Sequence, residues 1–509
     1  MPIFMLAIPD FRRRSDRSCF HAVPEMSSSV LQYGSISRFL CCSVLLLVLL
    51  EINVSQAQIN PDDTFTEELH LTLQESIEIA LKQNSGLLDS RLDREIDKLN
   101  LEEAEKKFEP KFSVGSSANT SRGSEENVGI DAGITFALPT GSGASISLNA
   151  DKNITANNSG ADSYSVRFTQ PLLKGAGLVQ GTDSLRLARQ TETKNILGFR
   201  DRVASLIVQV IKSYYSLIQS NMQVQTNEGA LERALKQSNV TQALIKAGRI
   251  AQLELTRSQS TIAQRELALL RAKNSRNAST LTLSNLLNLP NDIRLVPRED
   301  SLDELSDEEA GSLVDLEAST RQALDNRKDI RDAMFEVENA EVNLLITKNN
   351  LLPDLSLNTT VTRNDVAGKT SHSAGLRLSI PLNEPNRKSR LVSAENRLFK
   401  ARRNLDTNRE SIRNEIRRLA TNVELSYRVT QLSREARELA ERNLSIEQAK
   451  FGQGLSSTFE VASSQDELLS AQNAEINDVI AFRNAKLDLH QAMGITLDVW
   501  GIEVEEVAP

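Results

Sequence analysis

The chain has 509 residues, a length that ordinarily corresponds to about three domains. Its formal net charge is −9, aromatic residues make up only 4% of it, and Trp500 is its single tryptophan. The acidic balance argues against nucleic acid as a partner. So few aromatic residues are typical of long helices with narrow apolar seams rather than of a conventional globular core.

The N-terminal segment has the pattern of a secretory signal peptide. An apolar run of about 12 residues at 39–50 is too short to span a bilayer. The small-residue sequence Val-Ser-Gln-Ala at 54–57 then fits a cleavage site. The basic residues that precede the run are Arg12, Arg13, Arg14, Arg17 and Arg38. We therefore predict a signal peptide at 1–57 that starts at Met1 or Met26; a signal anchor or a buried helix is the alternative.

Cysteine and histidine usage gives no sign of a metal site. All three cysteines lie in the predicted signal peptide, so the rest of the chain has neither a disulfide framework nor a thiolate metal site. The histidines of the remainder are far apart and lack metal-ligand spacing. These residues are Cys19, Cys41 and Cys42, and His70, His372 and His490. We expect no metal and no cofactor.

Two regions alternate apolar with small or polar residues, as β-strands do. The first is 111–171, and the second comprises 354–363 and 373–382. Strands with one polar face fit a barrel with a wet interior as well as a sandwich. After residue 57 no run of 18 apolar residues occurs, so a membrane-spanning form would have to be a β-barrel.

Helical periodicity covers most of the remaining chain. The segment 386–451 contains neither Gly nor Pro and would form a helix about 100 Å long. No globular domain holds such a helix, so we expect a coiled coil or a helical barrel. The predicted helices span 71–109, 183–246, 252–288, a segment ending at Asn350, 386–451 and 456–494.

The same unit occurs twice in the chain. Ala80 and Ala323 each lie 30 residues before a proline, Pro110 and Pro353. A second set of residues follows two glycines at equal distances. Leu253, Glu254 and Gln259 follow Gly248 at the same distances as Phe459, Glu460 and Gln465 follow Gly454. A residue spacing that recurs with little sequence identity implies two copies of one supersecondary unit. The first copy has about 33 extra residues between its strand-flanking prolines, roughly one hairpin, whose place in the fold stays open.

These patterns divide the chain into five segments. We predict a signal peptide at 1–57, a first repeat at 58–296, a charged linker at 297–315, a second repeat at 316–496 and a C-terminal tail at 497–509. Each repeat comprises a helix, strands and a helical hairpin. These patterns predict a fold class that is mainly α, with strands that form a β-barrel or a sandwich and long helices that form a coiled coil or a helical barrel.

The chain resembles the TolC-type outer-membrane efflux protein family. Each motif alone is loose, and their order and duplication make the resemblance specific. The carrying features are Leu-Thr-Leu-Gln-Glu-Ser-Ile-Glu-Ile-Ala-Leu-Lys-Gln-Asn at 71–84, its partner at 323–330, the strand ends Gln170-Pro171 and Ile380-Pro381, and the two glycine-containing turns. They cover essentially the whole chain after the signal peptide.

The resemblance implies a homotrimer whose protomers share one transmembrane β-barrel in the outer membrane, while the helices form a tunnel in the periplasm. Four strands per protomer would give twelve. It further implies a passive exit duct for efflux or type I secretion, served by a periplasmic adaptor (a membrane fusion protein) and an inner-membrane pump, with no enzymatic activity. The transported substrate stays open. The alternative function is a periplasmic coiled-coil scaffold without a channel.

The resemblance also suggests site residues at the two helical turns. Turns of this kind contact the adaptor in the family, although glycine alone suits a tight helix reversal. The candidate docking residues are Gly248, Gly452, Gly454, Leu455 and Ser456.

Three charged residues beside the turns are candidates for a pore or gate. The resemblance places Glu254 and Glu460 near the narrow entrance, where threefold symmetry would make rings of carboxylates that attract cations. The alternative is a favourable charge in the first turn of a helix. Arg249 is either a gate-clamping ion-pair partner or a solvated charge at the tip.

A glycine-rich loop at 175–181 is the closest approach to an enzyme motif. Its spacing is G-x-G-x-x-x-G, which departs from the dinucleotide fingerprint, and no alternating β–α series surrounds it. We interpret it as the turn that takes the chain from the strands into a helix. No nucleophile motif or phosphate loop occurs, so we expect no catalysis.

Overall fold

The computed structural model describes residues 67–119, 127–155, 162–298, 315–365, 368–382 and 385–503. The predicted signal peptide at 1–57 lies outside these ranges. So do residues 299–314, most of the predicted charged linker, and residues 504–509 of the predicted tail. The boundaries given above for the two repeats stay predictions.

Both halves of the chain contain two short helices, a set of strands and a helical hairpin in the same order. The first half contains β1 (Glu67–Leu71), α1 (Leu73–Gln83), α2 (Ser85–Glu105), β2 (Lys111–Asn119), β3 (Asn127–Ala137), β4 (Ser145–Thr155), β5 (Asp162–Pro171), α3 (Leu178–Lys246), α4 (Leu253–Leu287) and β6 (Ile293–Pro297). The second half contains α5 (Leu316–Asn326), α6 (Lys328–Asn350), β7 (Asp354–Asn364), β8 (Lys369–Ser379), α7 (Asn386–Gly452), α8 (Thr458–Met493) and α9 (Thr496–Val499). This order confirms the predicted duplicated unit.

Two helices run without a break for almost the whole helical part. α3 has 69 residues and α7 has 67, so each is about 100 Å long. The predicted length of α7 is confirmed, and α3 begins five residues earlier than predicted, at Leu178. Among the described residues no helix has both the length and the apolar character needed to cross a membrane.

The single helix predicted at 71–109 is wrong, because the chain breaks at Asn84. This residue has extended backbone angles, φ −60° and ψ 121°, and separates α1 from α2. Its side-chain oxygen accepts a hydrogen bond from the Leu87 N–H at 3.1 Å, which caps α2. α1 itself begins with a capping box between Thr72 and Glu75. Residues 67–71, before this box, form strand β1 instead of leading into a helix.

The second copy breaks at the equivalent residue, Arg327, with φ −70° and ψ 132°. In both copies the side chain of the break residue donates to a carbonyl near the C-terminus of the hairpin's return helix. Asn84 Nδ2 lies 2.9 Å from Leu286 O in α4, and Arg327 Nη1 lies 3.4 Å from Ala492 O in α8. Leu286 and Ala492 are 206 residues apart, as are the turn glycines Gly248 and Gly454. The duplication therefore extends to individual hydrogen bonds.

Each long helix is covered by two shorter helices that lie end to end. Near the sheet α3 packs against α2, and further away it packs against α4; α7 packs in the same way against α6 and α8. Contacts of α3 with α6 and with α8 join the two halves. The helices nearer the sheet thus follow the order α2, α3, α6, α7, and those nearer the turns follow α4, α3, α8, α7.

The main apolar core lies where the short helices meet, around the middle of α3. Val210, Ile211 and Tyr214 of α3 have no exposed surface. The Tyr214 hydroxyl donates to the Leu71 carbonyl at 3.0 Å. Leu71 ends β1, which pairs in parallel with β6 in a register that matches Leu69 with Leu295. The sequence analysis missed this small sheet, which fixes the beginning of the first repeat to its end.

The other strands form one antiparallel sheet in the order β2–β3–β4–β5–β7–β8. Residues in register across it share one character on each face. One row on the first face consists of Phe112, Ile134, Leu148, Val166 and Val361 and ends at His372 on β8, and the corresponding row on the opposite face consists of Ser113, Gly133, Asn149, Ser165, Thr362 and Ser371. One face is therefore mainly apolar, with Lys152, Asp162 and Arg363 among its exceptions, and the other is mainly polar, as the alternation predicts.

The structure resolves where the extra hairpin of the first copy lies. It consists of β3 and β4, which enter the sheet between β2 and β5. Both have 11 residues, the same length as β7 and β8. The hairpin is therefore part of the sheet and not a loop beyond it.

The junction at Asn84 gives a stability prediction. Asn84→Ala removes the cap on α2 and the bond to Leu286 O, so we expect the free energy of unfolding to fall by about 1–3 kcal/mol. Asn100→Ala is the matched control, because Asn100 is exposed within α2. Thermal unfolding followed by circular dichroism measures both. Equal unfolding midpoints for the two variants would contradict the role of Asn84.

Candidate functional site

The two predicted turns have the same backbone geometry. Gly248 has φ +70° and Gly454 has φ +79°, values that disfavour residues with a side chain. Each glycine N–H donates to the carbonyl three residues earlier, and the next N–H donates to the carbonyl five residues earlier; both patterns form the Schellman motif. The bonds are Gly248 to Ile245 at 2.9 Å, Arg249 to Leu244 at 2.9 Å, Gly454 to Phe451 at 3.0 Å and Leu455 to Lys450 at 2.9 Å.

Glu460 takes part in the start of helix α8. The Ser457 N–H donates to Glu460 Oε2 at 2.8 Å, while the Glu460 N–H donates to Ser457 Oγ at 3.3 Å, which completes a capping box. The Ser456 hydroxyl lies between Glu460 Oε2, at 3.0 Å, and the carboxylate of Glu447. The Ser457 N–H, followed by the two serine hydroxyls, holds the pKa of Glu460 below its ordinary value. Glu460 is exposed, and its pore role stays a prediction.

Glu254 joins the two hairpins. Its carboxylate pairs with Arg257 on its own helix, Oε1 to Nη1 at 3.1 Å, and accepts a hydrogen bond from the Thr458 hydroxyl at the start of α8. Its side chain is only 18% exposed. About three turns further along, Arg265 of α4 forms an ion pair with Asp466 of α8. The N-terminal parts of α4 and α8 are thus tied together twice.

The sequence analysis did not select Thr458, Arg265 or Asp466. The two links join residues 204 and 201 positions apart, so no local pattern indicates them. The only available signal is the equal spacing of Glu254 and Glu460 from their turn glycines, which places both acids at one level of the paired hairpins.

Arg249 is exposed at the first turn, and within the described residues its side chain has no ion-pair partner. The single chain therefore provides nothing for it to clamp. Neighbouring apolar side chains are also exposed: Leu253 by 60%, Leu455 by 74% and Phe459 by 72%. Such a group of apolar side chains at a tip is typical of a surface that binds another protein.

The described residues contain no group of three or more His, Cys, Asp or Glu side chains placed to hold a metal ion. The glycine-rich loop at 175–181 lies between β5 and α3, where the chain passes from sheet to helix. What the candidate site offers is a pair of rigid turns with exposed apolar residues, backed by polar links between hairpins.

The turn glycines give a matched pair of variants. Gly454→Ala puts a side chain on a left-handed residue, and we expect it to lower the free energy of unfolding by about 1 kcal/mol. Gly452→Ala should be neutral or slightly stabilising, because Gly452 ends α7 and has open space around its Cα. Chemical denaturation of both variants tests this. A larger loss for Gly452→Ala would refute the assignment of the turn.

The capping box of Glu460 gives a pH dependence. Since the pKa of Glu460 is lower in the folded than in the unfolded protein, its contribution to stability is full above about pH 4.5 and is lost as the pH falls through the folded value. We therefore expect the stability difference between wild type and Glu460→Gln to shrink as the pH decreases below that point. Unfolding midpoints measured across this range test it; a difference that does not change with pH would rule out the carboxylate as the cause.

The comparisons with known proteins agree with this architecture. The family model described as outer membrane efflux protein matches residues 76–289 and 320–495. Among solved structures, the outer membrane protein VceC of Vibrio cholerae has 18% identity and a TM-score of 0.62, over 83% of this chain and 96% of that one. The CmeC outer membrane channel of Campylobacter jejuni has 15% identity and a TM-score of 0.61, over 85% and 87%.

The open-state MtrE outer membrane channel of Neisseria gonorrhoeae has 16% identity and a TM-score of 0.60, over 83% of this chain and 88% of that one. At sequence identities this low, the similarity to these structures shows a shared fold. No curated protein sequence matches the chain significantly. The family model, in contrast, covers well over half of the chain, in one segment for each copy of the repeat. The chain therefore belongs to the outer membrane efflux protein family.

Proposed function

We propose that this protein is the passive exit duct of a tripartite efflux or type I secretion system. An inner-membrane pump supplies the energy, and a periplasmic adaptor connects it to the duct. The observation that carries the proposal is the combination, in one chain, of a two-faced sheet with two helices about 100 Å long. The apolar face suits lipid and the polar face suits water. As a member of a family of channels, the protein is not an enzyme.

The open ends of the molecule support assembly with further copies of the chain. The sheet ends at β2 and β8, and the helix order ends at α2 or α4 on one side and at α7 on the other. β2 follows α2 and β8 precedes α7, so the two unpartnered sides lie at opposite flanks along the whole length. A head-to-tail contact between them closes a ring, which also removes the sheet edges that lipid does not tolerate. Three copies form the ring, as the resemblance implies.

The two flanks have complementary charges. α2 carries seven acidic and three basic residues, while residues 386–418 of α7 carry eleven basic and four acidic residues. Opposite charges on facing flanks favour the head-to-tail contact over a contact between identical flanks. A second copy of the chain is therefore the partner that these surfaces fit.

Apolar residues follow the same flanks. On α7, Leu425, Leu432, Leu439 and Ile446 recur every seven residues, and each is more than half exposed. On α4, Leu253, Leu267 and Leu281 lie at multiples of seven and are also exposed. A seven-residue apolar repeat is typical of a coiled-coil seam. We infer that α7 of one protomer packs against α4 of the next.

We place the sheet in the outer membrane and the turns at the periplasmic end. The turns then face the adaptor, with Gly248, Gly452, Gly454, Leu455 and Ser456 at the docking surface and the exposed side chain of Phe459 beside them. Glu254 and Glu460 lie just inside this end, where three copies would form rings of carboxylates that favour cations. The links of Glu254 with Thr458 and of Arg265 with Asp466 hold the two hairpins of each chain together and restrain the entrance.

Conductance in planar lipid bilayers tests the duct. The purified trimer should give small, cation-preferring currents, and Glu460→Gln should reduce the cation preference because it removes three charges from the entrance. A folded, membrane-inserted protein that never conducts, with or without the entrance links, would overturn the proposal in favour of a scaffold. An unchanged cation preference would keep the duct and remove Glu460 from its entrance.

The entrance links give a sharper prediction. Arg265→Ala breaks the ion pair with Asp466, so we expect a several-fold larger single-channel conductance or open probability. The exchanged pair Arg265→Asp with Asp466→Arg should restore values near wild type.

Arg271→Ala is the matched control, because Arg271 is an exposed arginine on the same helix. An increase of the same size in the control, or no increase in Arg265→Ala, would count against a restraining role of the pair.

A further inference from the structure

The inserted hairpin is a full part of the sheet. β3 and β4 each have 11 residues; β3 is paired with β4 along its whole length and with all 9 residues of β2. The apolar row from Phe112 to Val361 and the polar row from Ser113 to Thr362 continue through both inserted strands without a change of face. Residues directly opposite each other on neighbouring strands point to the same face, and two inserted strands leave the direction of β5 relative to β2 unchanged, so the insertion preserves both faces of the sheet.

The turn of the hairpin is built into the junction between sheet and helices. This turn, residues 138–144, lies against the glycine-rich loop at 175–181. The Ser142 N–H donates to Gly175 O at 2.7 Å, and the Gly177 N–H donates to Thr140 O at 2.9 Å. The hairpin is thus fixed at its helical end by backbone hydrogen bonds.

Glycines make this close approach possible. A Cβ on Gly181 would lie 2.1 Å from the Pro139 carbonyl oxygen, and one on Gly141 would lie 2.7 Å from the Gly175 carbonyl oxygen. Real side chains do not tolerate such distances. The G-x-G-x-x-x-G loop therefore has a structural purpose that the sequence alone did not reveal, which is to receive the turn of the inserted hairpin.

We propose that each chain contributes six strands to the shared barrel, so that the trimer closes eighteen strands rather than the twelve that the resemblance implies. This inference rests on the trimeric duct proposed above. Neighbouring strands are about 4.8 Å apart, and barrel strands tilt by about 40°. With that geometry eighteen strands enclose a backbone diameter of about 36 Å, against about 24 Å for twelve.

With a wider barrel, the part of the duct in the outer membrane no longer limits the size of the substrates that pass. The number of helices per chain stays at the four that line each level, whereas the number of strands increases by half. The barrel is then the wide end of the duct, and the entrance formed by the turns is the narrow one. Bulky solutes or polypeptides that pass the entrance meet no further steric limit at the sheet.

Disulfide cross-linking tests the strand order, since the chain after residue 57 contains no cysteine. Val114, Ala132, Ala150 and Tyr164 lie in one register row on β2, β3, β4 and β5. With the hairpin inserted, Val114 and Ala132 are direct neighbours, whereas Val114 and Tyr164 are three strand spacings apart, about 14 Å. Cysteines bond only when their Cα atoms are within about 7 Å.

We expect Val114→Cys with Ala132→Cys to cross-link within trimers in native membranes, and Val114→Cys with Tyr164→Cys not to. The readout is protection of the thiols from a maleimide reagent after oxidation. Deletion of residues 127–155 serves as the positive control, because it leaves an antiparallel sheet in which β2 and β5 are adjacent and the second pair should then cross-link.

Formation of the Val114–Tyr164 cross-link in the full-length trimer would show that the hairpin is excluded from the barrel, and would overturn the strand count while leaving the duct intact. A chain that forms no trimers, judged by native mass spectrometry, would overturn the proposed function together with the strand count. Electron cryo-microscopy of the trimer in nanodiscs should count eighteen strands; twelve would refute the inference directly.

Discussion

The structure depends on one constraint, which is that a helix of nearly 70 residues cannot be left without neighbours along its length. Apart from the two long helices, the longest helix among the described residues has 36 residues. Each long helix is therefore covered by two shorter ones placed end to end. Where they meet, the carbonyl groups at the end of one helix would lack partners. The side chains of Asn84 and Arg327 donate to those carbonyls and at the same time mark where the next helix begins. The core around α3, the level of the turns and the position of the sheet all follow from where these junctions lie.

Both copies of the repeat provide a hydrogen-bond donor to the carbonyl groups at this junction, but the donor belongs to a different side chain in each copy. Asn84 uses an amide, whereas Arg327 uses a guanidinium that also pairs with Asp329 and Glu415 at 2.8 and 2.6 Å. The return helices end on left-handed residues in both copies, Asn288 with φ 54° and Gly494 with φ 72°. The second position is also crowded, because a Cβ there would lie 3.1 Å from the Cβ of Asn326. Two copies with little sequence identity can therefore have the same backbone structure. Each of these positions requires a backbone conformation or a hydrogen-bond donor rather than one particular residue type.

The parts of the fold that depend on local pattern could be predicted from the sequence. The absence of Gly and Pro predicted the length of α7, alternation predicted the two faces of the sheet, and glycine predicted both turns. The rest depends on contacts between distant residues. The break at Asn84 includes a hydrogen bond to α4, which lies about 200 residues later in the chain. The parallel pairing of β1 with β6 joins the two ends of the first half. For the same reason the sequence left the place of the extra hairpin open, and it did not reveal the links of Glu254 and Arg265 to the other hairpin.

The two junctions also determine how the helical part can bend. The long helices are continuous, whereas the lines of shorter helices are interrupted at the level of Asn84 and of its equivalent in the second copy, Arg327. Beyond that level α4 has 35 residues, which makes it a lever about 50 Å long. A rotation of about 5° at its junction would carry its far end through about 4 Å, roughly the width of a side chain. A change too small to disturb the packing at the middle of the molecule is thus amplified into a displacement at the turns that is large enough to separate two contacting residues.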